Sequence, residues 1–176
     1  MRIDRTSLEW WHSIRHCHEE VCAWLQKQAY GEEQAAKRIA SLAQDTDLPF
    51  ETRVVLDRIS EDEAKHAAWI KHCLKRRGLL ALDEHENRYW KEALKDVGTK
   101  DEIFAAAAHA EAMRLERIRV IAYDKTAPWD IYETFNGILK DEERHAAEFR
   151  KLASTEALEK MLPRHQEGLK ALGLVL

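Results

Sequence analysis

Two short segments of this chain carry residue types that hold metal ions, and one is a copy of the other. Asp62-Glu63-Ala64-Lys65-His66-Ala67-Ala68 returns 79 residues later as Asp141-Glu142-Glu143-Arg144-His145-Ala146-Ala147. The same offset maps Glu32 onto Glu111, Asp45 onto Asp124 and Pro49 onto Pro128, so a lone Glu stands 31 residues ahead of each Glu-x-x-His. Four carboxylates and two imidazoles at matched spacing are the ligand inventory of a two-metal carboxylate site inside a four-helix bundle. Carboxylate and imidazole ligands suit iron and manganese better than metals that prefer thiolate.

A single Glu-x-x-His carries little weight, because about one arises by chance in a chain this rich in Glu and His. Glu9-Trp10-Trp11-His12 has no counterpart at the 79-residue offset and is expected at the surface. The repeated pairs differ, since each comes with an Asp, an Ala-Ala, a lone Glu and a turn at equal distances. Apolar residues at helical spacing (Leu56, Ile59 and Ile70; Phe135, Ile138 and Phe149) place Glu63/His66 and Glu142/His145 on buried faces. Four buried carboxylates without cations repel one another and lose hydration, a cost that bound divalent ions offset. Asp62 and Asp141 stand beside the ligands, where a carboxylate accepts the second ring N–H of a ligating His. The expected pairing is crossed, Asp62 with His145 and Asp141 with His66.

The elements that must position these side chains are helices. Thr6-Ser7-Leu8-Glu9 is a capping-box pattern that opens a first helix running to about Gln44. A break follows at Asp45–Pro49, with Asp47 as the expected N-cap; the second helix runs to about Arg77 and stops at Gly78. Residues 79–98 connect, with a short helix expected near 84–94. Thr99-Lys100-Asp101-Glu102 opens a third helix ending near Tyr123, and Thr126-Ala127-Pro128 starts a fourth that passes Arg150. Pro163 is expected to interrupt the tail, residues 154–176. Glu32 and Glu63 are equidistant from the first turn, as Glu111 and Glu142 are from the second. In an antiparallel pair such residues lie level, roughly 23 Å from the turn at 1.5 Å per residue. Positions i and i+3 share a helical face, so each hairpin presents Glu, Glu and His together.

Composition agrees with an all-α chain: 176 residues, 34% charged, with six Gly and three Pro. Its length fits one domain, with hairpin repeat 1 at about 6–78, the connection at 79–98, hairpin repeat 2 at about 99–153 and the tail at 154–176. A net charge of −4 without a basic tract argues against nucleic acid as a partner, and no apolar run is long enough to span a membrane. Cys17, Cys22 and Cys73 form no Cys-x-x-Cys pair and read as reduced thiols in a cytoplasmic protein. His12, His16 and His18 near Cys17 read as a surface cluster. Trp10, Trp11, Trp24 and Trp69 read as core or interface packing.

These residues resemble the ferritin-like di-iron carboxylate superfamily, above all the erythrin domain of rubrerythrins and their internally symmetric relatives. Gly31-Glu32-Glu33-Gln34-Ala35 is similar to the signature around the first-helix ligand, and Ala105–Ala108 ahead of Glu111 is similar to the third helix. The likeness covers roughly residues 20–152. It implies a ferritin-like antiparallel four-helix bundle of two duplicated hairpins. Glu32 and Glu111 would then each cap one iron, Glu63 and Glu142 bridge the two, and His66 and His145 supply one nitrogen each. Two iron ions, or a mixed manganese/iron pair, would reduce or activate dioxygen or hydrogen peroxide, with electrons from an unidentified donor and the chain in a homo-oligomer, a dimer being favoured. The other implied function is a ferroxidase or iron-storage subunit. One departure is specific: rubrerythrins carry a further Glu three residues after the third-helix ligand, where this chain has Arg114, and Ala35 is its counterpart in the first repeat. The six-ligand set is therefore nearer to those of bacterioferritins and di-iron oxidases.

Overall fold

The computed structural model describes residues 5–175. Among them the chain forms seven helices: α1 Ser7–Ile14, α2 His18–Ala43, α3 Phe50–Arg76, α4 Arg88–Ala93, α5 Lys100–Ala122, α6 Trp129–Leu152 and α7 Thr155–Leu172. The chain is all-α, as its composition and periodicity predict. Its one departure from helix and loop, among the described residues, is an isolated parallel bridge between Arg5 and Leu174. Cα proximity divides the chain into two compact units, one of residues 14–85 and one of residues up to 13 together with those from 86 onward.

The first unit is the α2–α3 hairpin. Its turn is set by Asp45, whose carboxylate accepts the Asp47 N–H at 3.0 Å while its carbonyl accepts the Leu48 N–H at 3.1 Å. Pro49, with φ −53°, then supplies the N-cap position of α3. The expected N-cap, Asp47, is instead a turn residue, because the Asp45 side chain fixes the chain one step earlier. Leu25, Ala29, Leu56, Ile59, Ile70 and Leu74 are fully buried at helical spacing. Two polar ties join the helices: Ser60 Oγ donates to the Ala36 carbonyl at 3.0 Å, and Lys71 Nζ reaches Glu33 at 2.5 Å. Gly78, at φ +70°, ends α3 as expected, with the Leu79 N–H returning to the Leu74 carbonyl at 3.0 Å.

The second unit is built on the α5–α6 hairpin, which turns by the same device. Asp124 accepts the Thr126 N–H at 2.9 Å, and Pro128 is the N-cap of α6. Thr99 caps α5 by accepting the Glu102 N–H at 3.2 Å. Helices α4 and α7 pack on each other and on α5 through Tyr89, Ala93, Ala110, Met113 and Leu169. Gly168 permits this approach, since a Cβ there would lie 2.6 Å from the Tyr89 ring. Pro163 does not interrupt the tail; it lies inside the continuous α7, without an N–H to donate to the preceding turn.

The first helix also differs from expectation. The run from Thr6 to Gln44 is two helices, with an extended Cys17 (φ −101°, ψ 104°) between them. No Gly or Pro marks this break. Its cause is tertiary: Trp11 Nε1 donates to Asp124 at 2.8 Å, the Arg117 guanidinium lies 4.9 Å over the Trp10 ring, and the Arg5 N–H donates to the Gly173 carbonyl at 3.1 Å. These contacts hold α1 to the second unit, whereas α2 belongs to the first.

Candidate metal centre

Each unit carries three fully or almost fully buried ligand-type side chains from its two hairpin helices. In the first these are Glu32 on α2 and Glu63 and His66 on α3, all at 0% exposure. One ligand atom from each lies within 4.8 Å of the other two. His66 Nδ1 and Glu63 Oε2 are 4.0 Å apart, a gap that two metal–ligand bonds of ~2.1 Å each would span. Gln28, one turn ahead of Glu32, donates its amide N–H to Glu32 Oε1 at 2.5 Å and fixes that carboxylate. The Trp69 ring stands 5.9 Å from the His66 ring and is itself 41% exposed, so it covers the imidazole rather than filling the core.

In the second unit the set is Glu111 on α5 with Glu142 and His145 on α6, and again one ligand atom of each lies within 4.8 Å of the others. Glu142 and His145 are at 0% exposure and Glu111 at 3%. Here a cation from the chain is already present. Arg114 donates from Nη1 to Glu111 Oε1 at 3.2 Å and from Nη2 to Glu142 Oε1 at 3.1 Å. Asp62 and Asp141 each hold a cation one turn on along their own helix, Lys65 at 2.6 Å and Arg144 at 3.0 Å.

Beside Glu111 is a group with no counterpart among the sequence motifs. The Tyr89 hydroxyl shares a 2.8 Å hydrogen bond with Nδ1 of buried His165, and His109 stacks on His165 with ring centroids 5.0 Å apart. Burial, and then the negative charge of Glu111, push the Tyr89 phenol well above its usual range. Burial, and then His109, bring His165 down to about 4. Tyr89 and His165 are 76 residues apart, and no local spacing announces such a pair. Gln28 and Arg114 were legible in principle, at i−4 and i+3 from a ligand Glu.

The other sequence candidates stay apart from these sets. Glu9 is occupied with capping, accepting the Thr6 N–H at 2.9 Å, and His12 is exposed as expected. Cys17, Cys22 and Cys73 are free thiols, with Cys22 Sγ 3.5 Å from His18 Nε2. Among the described residues no helix is long and apolar enough to cross a membrane.

Both sets offer carboxylate oxygen and imidazole nitrogen in a dry interior, which fits a divalent ion of the iron or manganese kind. The family described as Rubrerythrin matches residues 24–153, a span that includes all six ligand-type residues. Neither the curated proteins nor the solved structures contain a match to the chain.

Proposed function

The chain belongs to the rubrerythrin family of ferritin-like helical proteins, and on that premise we propose that it is an oxidoreductase with a dinuclear iron centre acting on dioxygen or peroxide. The observation that carries this reading is the pair of buried Glu, Glu, His sets, each drawn together within 4.8 Å. Charged carboxylates do not reside in such interiors without cations, and two sets of three make up the six ligands of a two-metal site.

Glu32, Glu63 and His66, with Glu111, Glu142 and His145, would hold the metal, the carboxylates supplying oxygen and each imidazole one nitrogen. Manganese suits the same donors at one position. In this reading the carboxylates of Asp62 and Asp141 would accept the second ring N–H of the ligating imidazoles. Iron held there would supply the redox chemistry, the electrons for reducing dioxygen or peroxide. The chain's own part is to fix the ligands and keep water out. Gln28 holds Glu32 at 2.5 Å, and the Ser60 tie locks α2 to α3 one turn from Glu63. Ile59 and Ile138, one turn ahead of Glu63 and Glu142, are at 0% exposure and line the ligand faces with hydrocarbon.

The test is metal content followed by single-turnover oxidation. Purified protein loaded anaerobically with ferrous iron should hold about two ions per chain, the complement of a paired carboxylate site. Mixing with O₂ and with H₂O₂ in separate runs identifies the oxidant by the faster loss of ferrous iron. E63A and E142A should each lose the paired centre. Two ions per chain in both variants would refute their place in the site, and no stoichiometric metal in the parent would sink the reading.

A further inference from the structure

The register of the α2–α3 hairpin sets two cysteines opposite each other. Buried residues of α2 pair with buried residues of α3 about one midpoint, between Asp47 and Leu48: Glu32 with Glu63, Leu25 with Ile70, and Cys22 with Cys73. Two contacts fix this register. A carboxylate oxygen of Glu32 lies within 4.8 Å of one from Glu63. Ser60 Oγ donates to the carbonyl of Ala36, whose counterpart about the same midpoint is the adjacent Ile59. The two strands of the hairpin are still together at its open end, where Gln26 Nε2 donates to the Leu80 carbonyl at 2.8 Å. Cys22 is 4% and Cys73 2% exposed, each about one turn from the end of its helix, and both are thiols. Facing positions on helices packed ~8–10 Å apart bring Cα atoms near the ~4.4–6.8 Å that a disulfide takes. Cys22 Sγ also lies 3.5 Å from Nε2 of His18, an exposed residue.

We propose that Cys22 and Cys73 are a peroxide-reactive thiol pair that closes to a disulfide across the open end of the α2–α3 hairpin. A buried thiol is ordinarily inert, because burial disfavours the thiolate that attacks. Here the His18 imidazole takes the Cys22 proton and links it to solvent. The Cys22 thiolate attacks one oxygen of hydrogen peroxide. An S–O bond forms, the O–O bond breaks, and the departing hydroxide takes the proton from His18 and leaves as water. The Cys73 sulfur then attacks the Cys22 sulfenic acid. The S–S bond forms, the S–O bond breaks, and the hydroxyl leaves as water with the Cys73 proton. Two thiols give up two electrons in all, and one peroxide is reduced to two water molecules. The cross-link joins α2 to α3 ten residues from Glu32 and ten from Glu63, so it ties the hairpin without altering a ligand. No step uses a metal, and the proposal stands apart from the dinuclear reading.

The test uses the full chain, freed of metal with a chelator and treated anaerobically with equimolar H₂O₂. Thiols counted after denaturation should fall from three per chain to one, and unreduced peptide mapping should give a fragment linking Cys22 to Cys73. Dithiothreitol should restore all three thiols. C22S and C73S should each abolish the linked fragment, whereas C17S should keep it. H18Q should slow its formation at neutral pH by at least about tenfold. The oxidised parent should melt about 5–15 °C above the reduced parent, the effect of closing a loop of this length. C73S carried through the same treatment should show no such rise. Three thiols remaining, linkage through Cys17, or sulfinic acid at Cys22 with Cys73 still a thiol would overturn the proposal. So would an oxidised parent that melts below the reduced one, since the bond would then fit only an unfolded chain. A linked fragment formed as fast in H18Q would overturn the role of His18 alone.

Discussion

His165 shows how burial turns a common side chain into a pH-sensitive one. Its imidazole is 4% exposed, bonded to Tyr89 and stacked on His109, and its pKa falls from 6.5 to about 4. The unfolded chain therefore takes up this proton at a higher pH than the folded chain does. The stability His165 contributes is complete above about pH 6.5 and is lost as the pH falls toward about 4. The melting temperature of the parent should fall across that window more steeply than that of H165N, whose amide keeps a polar atom near Nδ1. Parallel curves would show that another group governs the acid limb. At this scale the sequence disclosed what repetition marks. Glu32, Glu63, His66, Glu111, Glu142 and His145 stood out because each triplet recurs with its spacing intact, and all six side chains are buried. Tyr89, His109 and His165 carried no such mark, since only tertiary packing brings them together.

Helix ends were legible where a side chain or a glycine sets them. Thr6, Thr99 and Gly78 act as the capping patterns predict. The break at Cys17 was not legible, because contacts far along the chain impose it, and neither was the continuity of α7 through Pro163. Packing between elements makes a sharper prediction at two glycines. In the interior of a helix, Gly→Ala adds up to ~1 kcal/mol of stability through propensity alone. A methyl group on Gly31 in α2 would meet nothing within 4 Å, so G31A should stabilise by about 0.5–1 kcal/mol. Gly168 in α7 would place its Cβ 2.6 and 2.8 Å from Tyr89 ring atoms and 3.2 Å from the Tyr89 carbonyl oxygen. Overpacking of that kind costs about 1–3 kcal/mol, so G168A should be destabilising despite its propensity gain. Chemical denaturation of the two variants decides it; a stabilised G168A would mean that α4 is free to shift away from α7.

For the molecule as a whole, the family places the chain among ferritin-like helical proteins. The residues between the hairpins and beyond the second are committed within the chain: α4 packs on α7, and the Val175 N–H returns to the Arg5 carbonyl at 3.1 Å. On the proposed reading, light scattering of the metal-loaded protein should give a particle of two chains. A closed shell of many chains would move the reading toward iron storage. The pairing of Ala35 with Arg114 bears on heredity as well. In an assembly of two identical hairpins, symmetry would impose any change on both halves at once. With both hairpins encoded in one chain, a single codon can alter one half and spare the other, so each half is open to selection on its own.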